Sequence, residues 1–183
     1  MPDMKAGQPT GRTGIKTDKD LTNAEKIIFG LKKLGKTISS AESMTAGGFG
    51  MAVTRVAGSS VVYKGGVVTY TAETKKLLLE IPDELIKTGL VTPAMTLAMA
   101  EKALALFKTD VAVAVTGNAG PSSNDSSAGV GTVYWAVVDN NGRSEICDYD
   151  IFGGRDDVRT KAVTEGLRVV RNFIEKYELD QAD

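Results

Sequence analysis

The chain has 183 residues, of which 42% are hydrophobic and 25% charged, the composition of one ordinary globular domain with a sizeable core. The net charge of −1 (22 basic and 23 acidic residues) gives no electrostatic footprint for nucleic acid or an anionic membrane, and no signal peptide or bilayer-length apolar run is seen, so we expect a cytoplasmic protein. The absence of histidine excludes the Ser-His-Asp triad, the Cys-His pair and histidine-ligated zinc, and a single cysteine excludes an internal disulfide.

The predicted elements of the first half alternate between helix and strand. Residues 1–20 are polar and aperiodic, which predicts a disordered tail and a single domain over 21–180. Thr22 and Glu25 form a capping-box signature that begins a helix, and Gly35 ends it. A short strand is then predicted over 36–41, a helix over 47–56, a long strand over 61–71 and a helix over 73–79.

The second half predicts a helix, a buried strand, a hairpin and a final helix. After a helical turn opened by Pro82, Thr92 and Pro93 begin a helix that runs through Phe107. The apolar run over 110–116 is typical of a strand buried on both faces. Strands over 130–138 and 145–152 are joined by an Asn-Gly hairpin turn, and a helix follows over 155–177. This alternation favours a three-layer α/β/α sandwich with a mixed, mostly parallel sheet of about five strands, because strands joined by a tight turn are antiparallel.

Ser43 lies in the segment Ala-Glu-Ser-Met-Thr-Ala-Gly-Gly over 41–48, which is typical of a strand end, a small-residue turn and a helix start. In one interpretation Ser43 caps that helix, the usual role of serine at such a position. In the other it is a nucleophile, and N–H groups of the turn, those of Thr45, Gly47 and Gly48 among them, form an oxyanion or anion site. In a chain without histidine its base must be lysine, tyrosine or a carboxylate.

Tyr70 and Lys75 lie where a predicted strand ends and the next helix begins. A solvated surface position is the plainer interpretation of Lys75, as for most lysines. In the first turn of a helix, however, the positive end of the helix dipole and desolvation both lower a lysine pKa and favour the neutral amine. Tyr70 could relay the proton or hold the substrate. A Ser-Lys or Ser-Tyr-Lys set is the most economical hydrolytic arrangement left.

Two further turns are candidate ligand sites because each follows a predicted strand. Gly117, Asn118 and Gly120 lie in the loop after the buried strand, where α/β sheets usually bind ligands, although a flexible surface loop fits the spacing equally well. The loop is not a P-loop, since no Gly-Lys-Ser/Thr follows. Arg155 begins the last helix, where a guanidinium could bind phosphate or carboxylate; pairing with the neighbouring aspartates is the alternative.

Together these segments resemble the CinA C-terminal domain family, whose characterised activity is nicotinamide-mononucleotide deamidation. The resemblance covers roughly residues 22–177. Each motif alone is unspecific, but their order and spacing make the match strong. The matching motifs are Ala-Glu-Ser-Met-Thr-Ala-Gly-Gly (41–48), Ala-Gly-Ser-Ser (57–60), Val-Thr-Tyr-Thr-Ala-Glu-Thr-Lys (68–75), Gly-Asn-Ala-Gly-Pro (117–121), Val-Gly-Thr-Val (130–133) and Phe-Gly-Gly-Arg (152–155).

The resemblance implies a three-layer α/β/α fold and an amidohydrolase that acts on a small-molecule nucleotide without a cofactor or metal, in a homo-oligomer. It makes Ser43 the nucleophile and Tyr70 and Lys75 the rest of the catalytic set. Lys75, with Tyr70, would take the Ser43 proton. Ser43 would then attack the nicotinamide carboxamide, ammonia would leave, and water would release nicotinate mononucleotide. N–H groups of the turn over 45–48, or Arg155, would stabilise the oxyanion or bind phosphate.

The chain departs from the usual family pattern at several positions around the expected pocket. Met44, Ala46, Asn118 and Gly154 stand where the family usually has cysteine, glycine, an apolar residue and aspartate. These departures motivate a second hypothesis, a non-catalytic nucleotide-binding or competence- and damage-associated interaction domain. A third is a hydrolase of a different amide. Ammonia release from nicotinamide mononucleotide and from related amides distinguishes the three.

Overall fold

The computed structural model describes residues 22–123 and 127–180, so the predicted tail over 1–20 lies outside the described residues. Helices and strands alternate as the sequence indicates. Along the chain the elements are α1 (Asn23–Leu34), β1 (Ile38–Glu42), α2 (Gly48–Thr54), a 3-10 turn (Ser59–Val61), β2 (Tyr63–Val68), α3 (Ala72–Leu79), α4 (Asp83–Lys87), α5 (Pro93–Phe107), β3 (Val111–Gly117), β4 (Thr132–Asp139), β5 (Ser144–Asp150) and α6 (Arg155–Asp180).

The five strands form one sheet in the order β2-β1-β3-β4-β5. β1 pairs in parallel with both β2 and β3, whereas β4 is antiparallel to β3 and to β5. The prediction of a mixed, mostly parallel sheet of about five strands is confirmed, and the parallel pairs lie on both sides of β1. β5 runs in the same direction as β3, because two antiparallel steps separate them.

Two cores cover the two faces of the sheet. α1, α2 and α6 pack on one face around large side chains such as Trp135 and Phe49. α5 packs on the other face, where Ala112, Ala114 and Ala136 leave room for its methionines. All of β3 except its last residue is buried, as predicted for the apolar run. At Gly166, α6 lies so close to the sheet that an added Cβ would collide with the Trp135 ring.

The ends of the elements follow from local chemistry. Thr22 and Glu25 form the predicted capping box of α1, and Gly35 ends that helix at φ 63°. Thr92 caps α5 with Pro93 in its first turn. The strand predicted over 61–71 is shorter in the structure, because a 3-10 turn precedes it and Thr71 instead caps α3 by accepting a hydrogen bond from the Thr74 N–H.

This topology brings separate segments of the chain to one edge of the sheet. β1, β2, β3 and β5 all run in the same direction, so their carboxyl ends lie on the same side. The candidate residues predicted above lie at the carboxyl ends of these strands, in the turns that follow them or in the first turns of the next helices. Within the described ranges, no helix has the length and apolarity that a bilayer crossing requires.

Candidate active site

Ser43 and Lys75 form a side-chain pair at the centre of this edge. Ser43 directly follows β1, and its N–H donates to the Val115 carbonyl at 3.2 Å. Lys75 lies in the first turns of α3, whose start is fixed by the Thr71 cap. Its Nζ lies 3.1 Å from Ser43 Oγ and 2.5 Å from the Thr69 carbonyl oxygen. Two residues 32 positions apart in sequence are thus brought within hydrogen-bond reach.

The environment of Lys75 favours its neutral form. The side chain is only 1% exposed, and burial lowers its pKa from 10.5 to about 8. Its two hydrogen-bond partners are a hydroxyl and a carbonyl, so neither contributes a negative charge that would hold the ammonium form. At pH 7, about one Lys75 in ten is therefore an unprotonated amine beside the Ser43 hydroxyl, far more than for an ordinary lysine.

Tyr70 lies at the mouth of the site and is bound to Arg155. Its side chain is 53% exposed, and its hydroxyl accepts a hydrogen bond from Arg155 Nη2 at 2.8 Å. Arg155 Nη1 donates to the Gly120 carbonyl at 2.7 Å. The structure thus brings Tyr70 to the Ser43–Lys75 cavity, but its hydroxyl bonds to Arg155 and, in the described part of the chain, to neither Ser43 nor Lys75.

A cavity of about 400 Å³ connects these groups. This volume is in the range of small-molecule sites. It takes in seven of the ten predicted site residues, those that follow β1, β2 and β3 or begin α6. The lining residues are Ser43, Met44, Tyr70, Lys75, Leu90, Val91, Gly117, Asn118, Ala119, Gly120, Pro121, Ser122 and Arg155.

Thr45, Gly47 and Gly48 do not line this cavity, and polar groups of all three are already bonded within the chain. Glu42 Oε2 accepts hydrogen bonds from Thr45 Oγ1 at 2.7 Å and from the Gly47 N–H at 3.0 Å. The Gly48 N–H donates to the Thr45 carbonyl at 3.1 Å. The N–H groups of Gly47 and Gly48, predicted to receive an oxyanion or phosphate, are therefore not available to a ligand in this arrangement. The protein's own carboxylate takes the place that a bound anion was expected to fill.

The loop after β3 is ordered by Asn118. Asn118 Oδ1 accepts a hydrogen bond from the Gly120 N–H at 3.0 Å, and its carbonyl accepts one from the Gly131 N–H at 2.7 Å. Gly117 makes room for Met44, since a Cβ added there would lie 3.2 Å from Met44 Cγ. Two of the residues that depart from the usual pattern, Met44 and Asn118, therefore line the cavity, and Asn118 also shapes its loop.

Leu90 and Val91 were missed by the sequence reasoning. They follow Gly89 in the connection between α4 and α5, which carries no catalytic motif and does not follow a strand. They add apolar surface to the cavity. The hydrogen bonds of Glu42 to the turn over 45–50 were also not predicted, although Glu42 stands beside Ser43 in the motif.

The chain is similar to a family of known proteins. A family model described as the CinA C-terminal domain matches residues 20–174. The chain belongs to the CinA C-terminal domain family. A CinA-like protein from Synechococcus is 39% identical over 150 residues, which are 81% of this chain and 36% of that protein. A protein from Streptococcus pneumoniae, named as competence-damage inducible, is 39% identical over 153 residues, 82% of this chain and 36% of its own length. The chain thus spans about a third of the length of these curated relatives.

Solved CinA structures share the fold. The crystal structure of a CinA superfamily protein from Klebsiella pneumoniae has a TM-score of 0.80 at 26% identity and covers 84% of this chain and 96% of its own. That of a competence/damage inducible protein from Agrobacterium tumefaciens has a TM-score of 0.76 at 36% identity, with 81% and 91% covered. The α/β sandwich described above is therefore a CinA fold.

Proposed function

We propose that this CinA domain is an amidohydrolase that converts nicotinamide mononucleotide to nicotinate mononucleotide and ammonia. The observation that carries the proposal is the close approach of buried Lys75 to partly buried Ser43, with Nζ and Oγ 3.1 Å apart on the wall of the cavity. A lysine with a pKa of about 8 is matched to proton transfer near neutral pH. No histidine is needed for such a serine to be activated.

The proposed reaction proceeds through an acyl-enzyme. Neutral Lys75 accepts the proton of the Ser43 hydroxyl as Oγ attacks the carboxamide carbon. The lysine ammonium then donates that proton to the departing amine, the C–N bond breaks and ammonia leaves. Lys75 next takes a proton from water, whose oxygen attacks the ester carbon. The C–O bond to Ser43 breaks, the proton returns to Oγ, and the carboxylate product is released.

Charge and shape support a nucleotide carrying a pyridinium ring. The Arg155 guanidinium bonds to two neutral oxygens, those of Tyr70 and Gly120, and no carboxylate pairs with it within the described residues. Its positive charge is thus available to a phosphate. A neutral Lys75 would not repel a cationic ring held against Leu90 and Val91. Of the two roles considered for Tyr70, this geometry supports holding the substrate, through Arg155.

The test is ammonia release from nicotinamide mononucleotide by the wild type and by three variants. We expect Ser43→Ala and Lys75→Met each to lower kcat by about 10³-fold or more, the scale seen when a nucleophile or its base is removed. Ser144→Ala, an exposed serine at the opposite end of the sheet, is the matched control and should leave kcat unchanged. Full turnover by Ser43→Ala would refute the mechanism.

Two other outcomes separate the competing hypotheses. Turnover of a different amide, lost in Ser43→Ala, would keep the mechanism and change the substrate. A wild type that releases no ammonia from any amide tested would favour the non-catalytic, competence-associated domain.

A further inference from the structure

Glu42 is a buried carboxylate next to the proposed nucleophile. It is the last residue of β1, is 2% exposed, and directly precedes Ser43. A buried ionised carboxylate requires hydrogen-bond donors to replace its lost hydration. The donors that Glu42 receives show which part of the chain it holds.

Within the described residues, the donors to Glu42 all come from one segment just after Ser43. Oε2 accepts from Thr45 Oγ1 at 2.7 Å and from the N–H groups of Gly47 and Phe49, each at 3.0 Å. Oε1 accepts from the Gly50 N–H at 2.9 Å. Both carboxylate oxygens are thus committed to the turn over 45–50, and hydrogen bonds to a charged acceptor are the stronger kind.

This arrangement fixes the backbone on both sides of Ser43. Before the turn, the Ser43 N–H donates to the Val115 carbonyl and joins the serine to β3. After it, Glu42 holds the turn from 45 onward. The carbonyls of Met44 and Thr45 are bonded separately, by Arg159 at 3.0 and 3.4 Å, so the turn keeps an anchor if Glu42 is changed.

We propose that Glu42 is a positioning residue whose carboxylate aligns Ser43 Oγ with Lys75. The inference rests on the proposed function, since it takes Ser43 to be the nucleophile. A side chain that merely caps α2 would affect stability alone. A positioning residue also changes the rate of every reaction that starts with attack by Ser43 Oγ, because a small misplacement of a reacting atom costs far more in rate than in binding.

The test uses a reaction that needs no amide substrate. A small neutral fluorophosphonate ester is incubated with the intact protein; an O–P bond forms at Ser43, the P–F bond breaks, fluoride leaves and the serine proton goes to Lys75. Intact mass gives the labelling rate, and kcat and KM are measured beside it for nicotinamide mononucleotide. The variant is Glu42→Gln, which replaces one acceptor oxygen by an NH2 group that faces an N–H donor.

We expect Glu42→Gln to lower both the labelling rate and kcat by about 10- to 100-fold, with KM changed less than about threefold. The pH at which the labelling rate levels off should not move, because Lys75 is untouched. Glu101→Gln, an exposed residue on α5, is the matched control and should label like the wild type. Wild-type labelling and kcat in a folded Glu42→Gln would overturn the inference while leaving the proposed function intact.

A second variant covers the case in which Glu42→Gln does not fold. Thr45→Val removes one of the four hydrogen bonds and keeps the side-chain shape. It should slow labelling by about three- to tenfold, and an unchanged rate would count against the inference. A wild type whose Ser43 is neither labelled nor needed for turnover would overturn the proposed function, and the positioning role with it.

Discussion

Raising the pH from 7 to 10 should increase kcat/KM for ammonia release about tenfold in total, with half of the final value reached near pH 8 and a plateau above it. The reason is that only the neutral amine of Lys75 can take the Ser43 proton. Burial lowers the Lys75 pKa to about 8, so the neutral fraction rises steeply below that pH and saturates above it. The window above pH 7 also avoids the second ionisation of the substrate phosphate, near pH 6.

The size of the effect follows from the two pKa values. At pH 7, a pKa of about 8 leaves roughly one lysine in ten neutral, whereas the ordinary value of 10.5 leaves about three in ten thousand. Burial therefore supplies about 300-fold more active base at pH 7, equivalent to about 3.4 kcal/mol. This is a large part of what a general base contributes to an enzymatic rate.

The assay is initial-rate ammonia release at half-unit pH steps, with protein stability checked at each pH. Lys76→Met is the matched control, because Lys76 is exposed and pairs with Asp83. Its profile should coincide with that of the wild type, whereas Lys75→Met should be inactive throughout. A wild-type rate that keeps rising through pH 10, or that does not change between pH 7 and 9, would refute the reasoning.

Four further outcomes are expected. The Lys75 pKa is lower in the folded than in the unfolded chain, so the unfolded state holds more protons between about pH 8 and 10.5. In urea titrations, the free energy of unfolding of the wild type should therefore rise with pH across that window, by up to about 3 kcal/mol relative to Lys75→Met. A difference between the two proteins that stays constant with pH would contradict the pKa shift. Arg155→Gln should raise KM for nicotinamide mononucleotide about 10- to 100-fold and leave KM for the nucleoside, which lacks the phosphate, unchanged. An equal rise in both KM values would show that Arg155 does not bind the phosphate. Ala46 has a φ of 52°, so Ala46→Gly should raise the Tm by about 2–4 °C in calorimetry, and a lower Tm would show that the left-handed backbone is not strained. Gly166→Ala should cost about 1–3 kcal/mol in the same urea titration, because its Cβ meets the Trp135 ring, and wild-type stability would mean that α6 shifts freely.

The fold could be predicted from the sequence because its signals are local. The capping box of Thr22 and Glu25, the Thr92-Pro93 helix start and the continuous apolar run of β3 each depend on neighbouring residues alone. The residues at which strands end were harder to predict, because they depend on which backbone N–H and C=O groups form hydrogen bonds with a neighbouring strand. β2 ends at Val68, and Thr71 is used as a cap of α3, a competition that periodicity does not reveal.

The sequence could predict which site residues follow a strand, but not which side chains contact one another. Ser43 and Lys75 were each predicted to follow a strand, and the family resemblance implied that they act together; in the structure β1 and β2 are parallel, so their carboxyl ends bring the two residues together. The orientation of Tyr70 toward Arg155 could not be predicted, because the bond joins side chains 85 positions apart in sequence. The role of Glu42 was missed for a different reason: helix N-terminal N–H groups attract any anion, and sequence alone does not say whether that anion is a ligand or a neighbouring carboxylate.

The long-range contacts between Arg155 and the rest of the cavity make catalysis a reporter of complete folding. Ser43 and Lys75 follow the neighbouring parallel strands β1 and β2, but the Arg155 guanidinium that lines the cavity arrives with the final helix. An intermediate in which α6 has not docked would lack both the anion contact of Arg155 and the Arg159 bonds to the turn after Ser43, and would keep the Glu42 bonds to that turn. In a refolding experiment, Ser43 labelling should therefore recover before turnover of a phosphorylated substrate, and the delay between the two measures when the last helix docks.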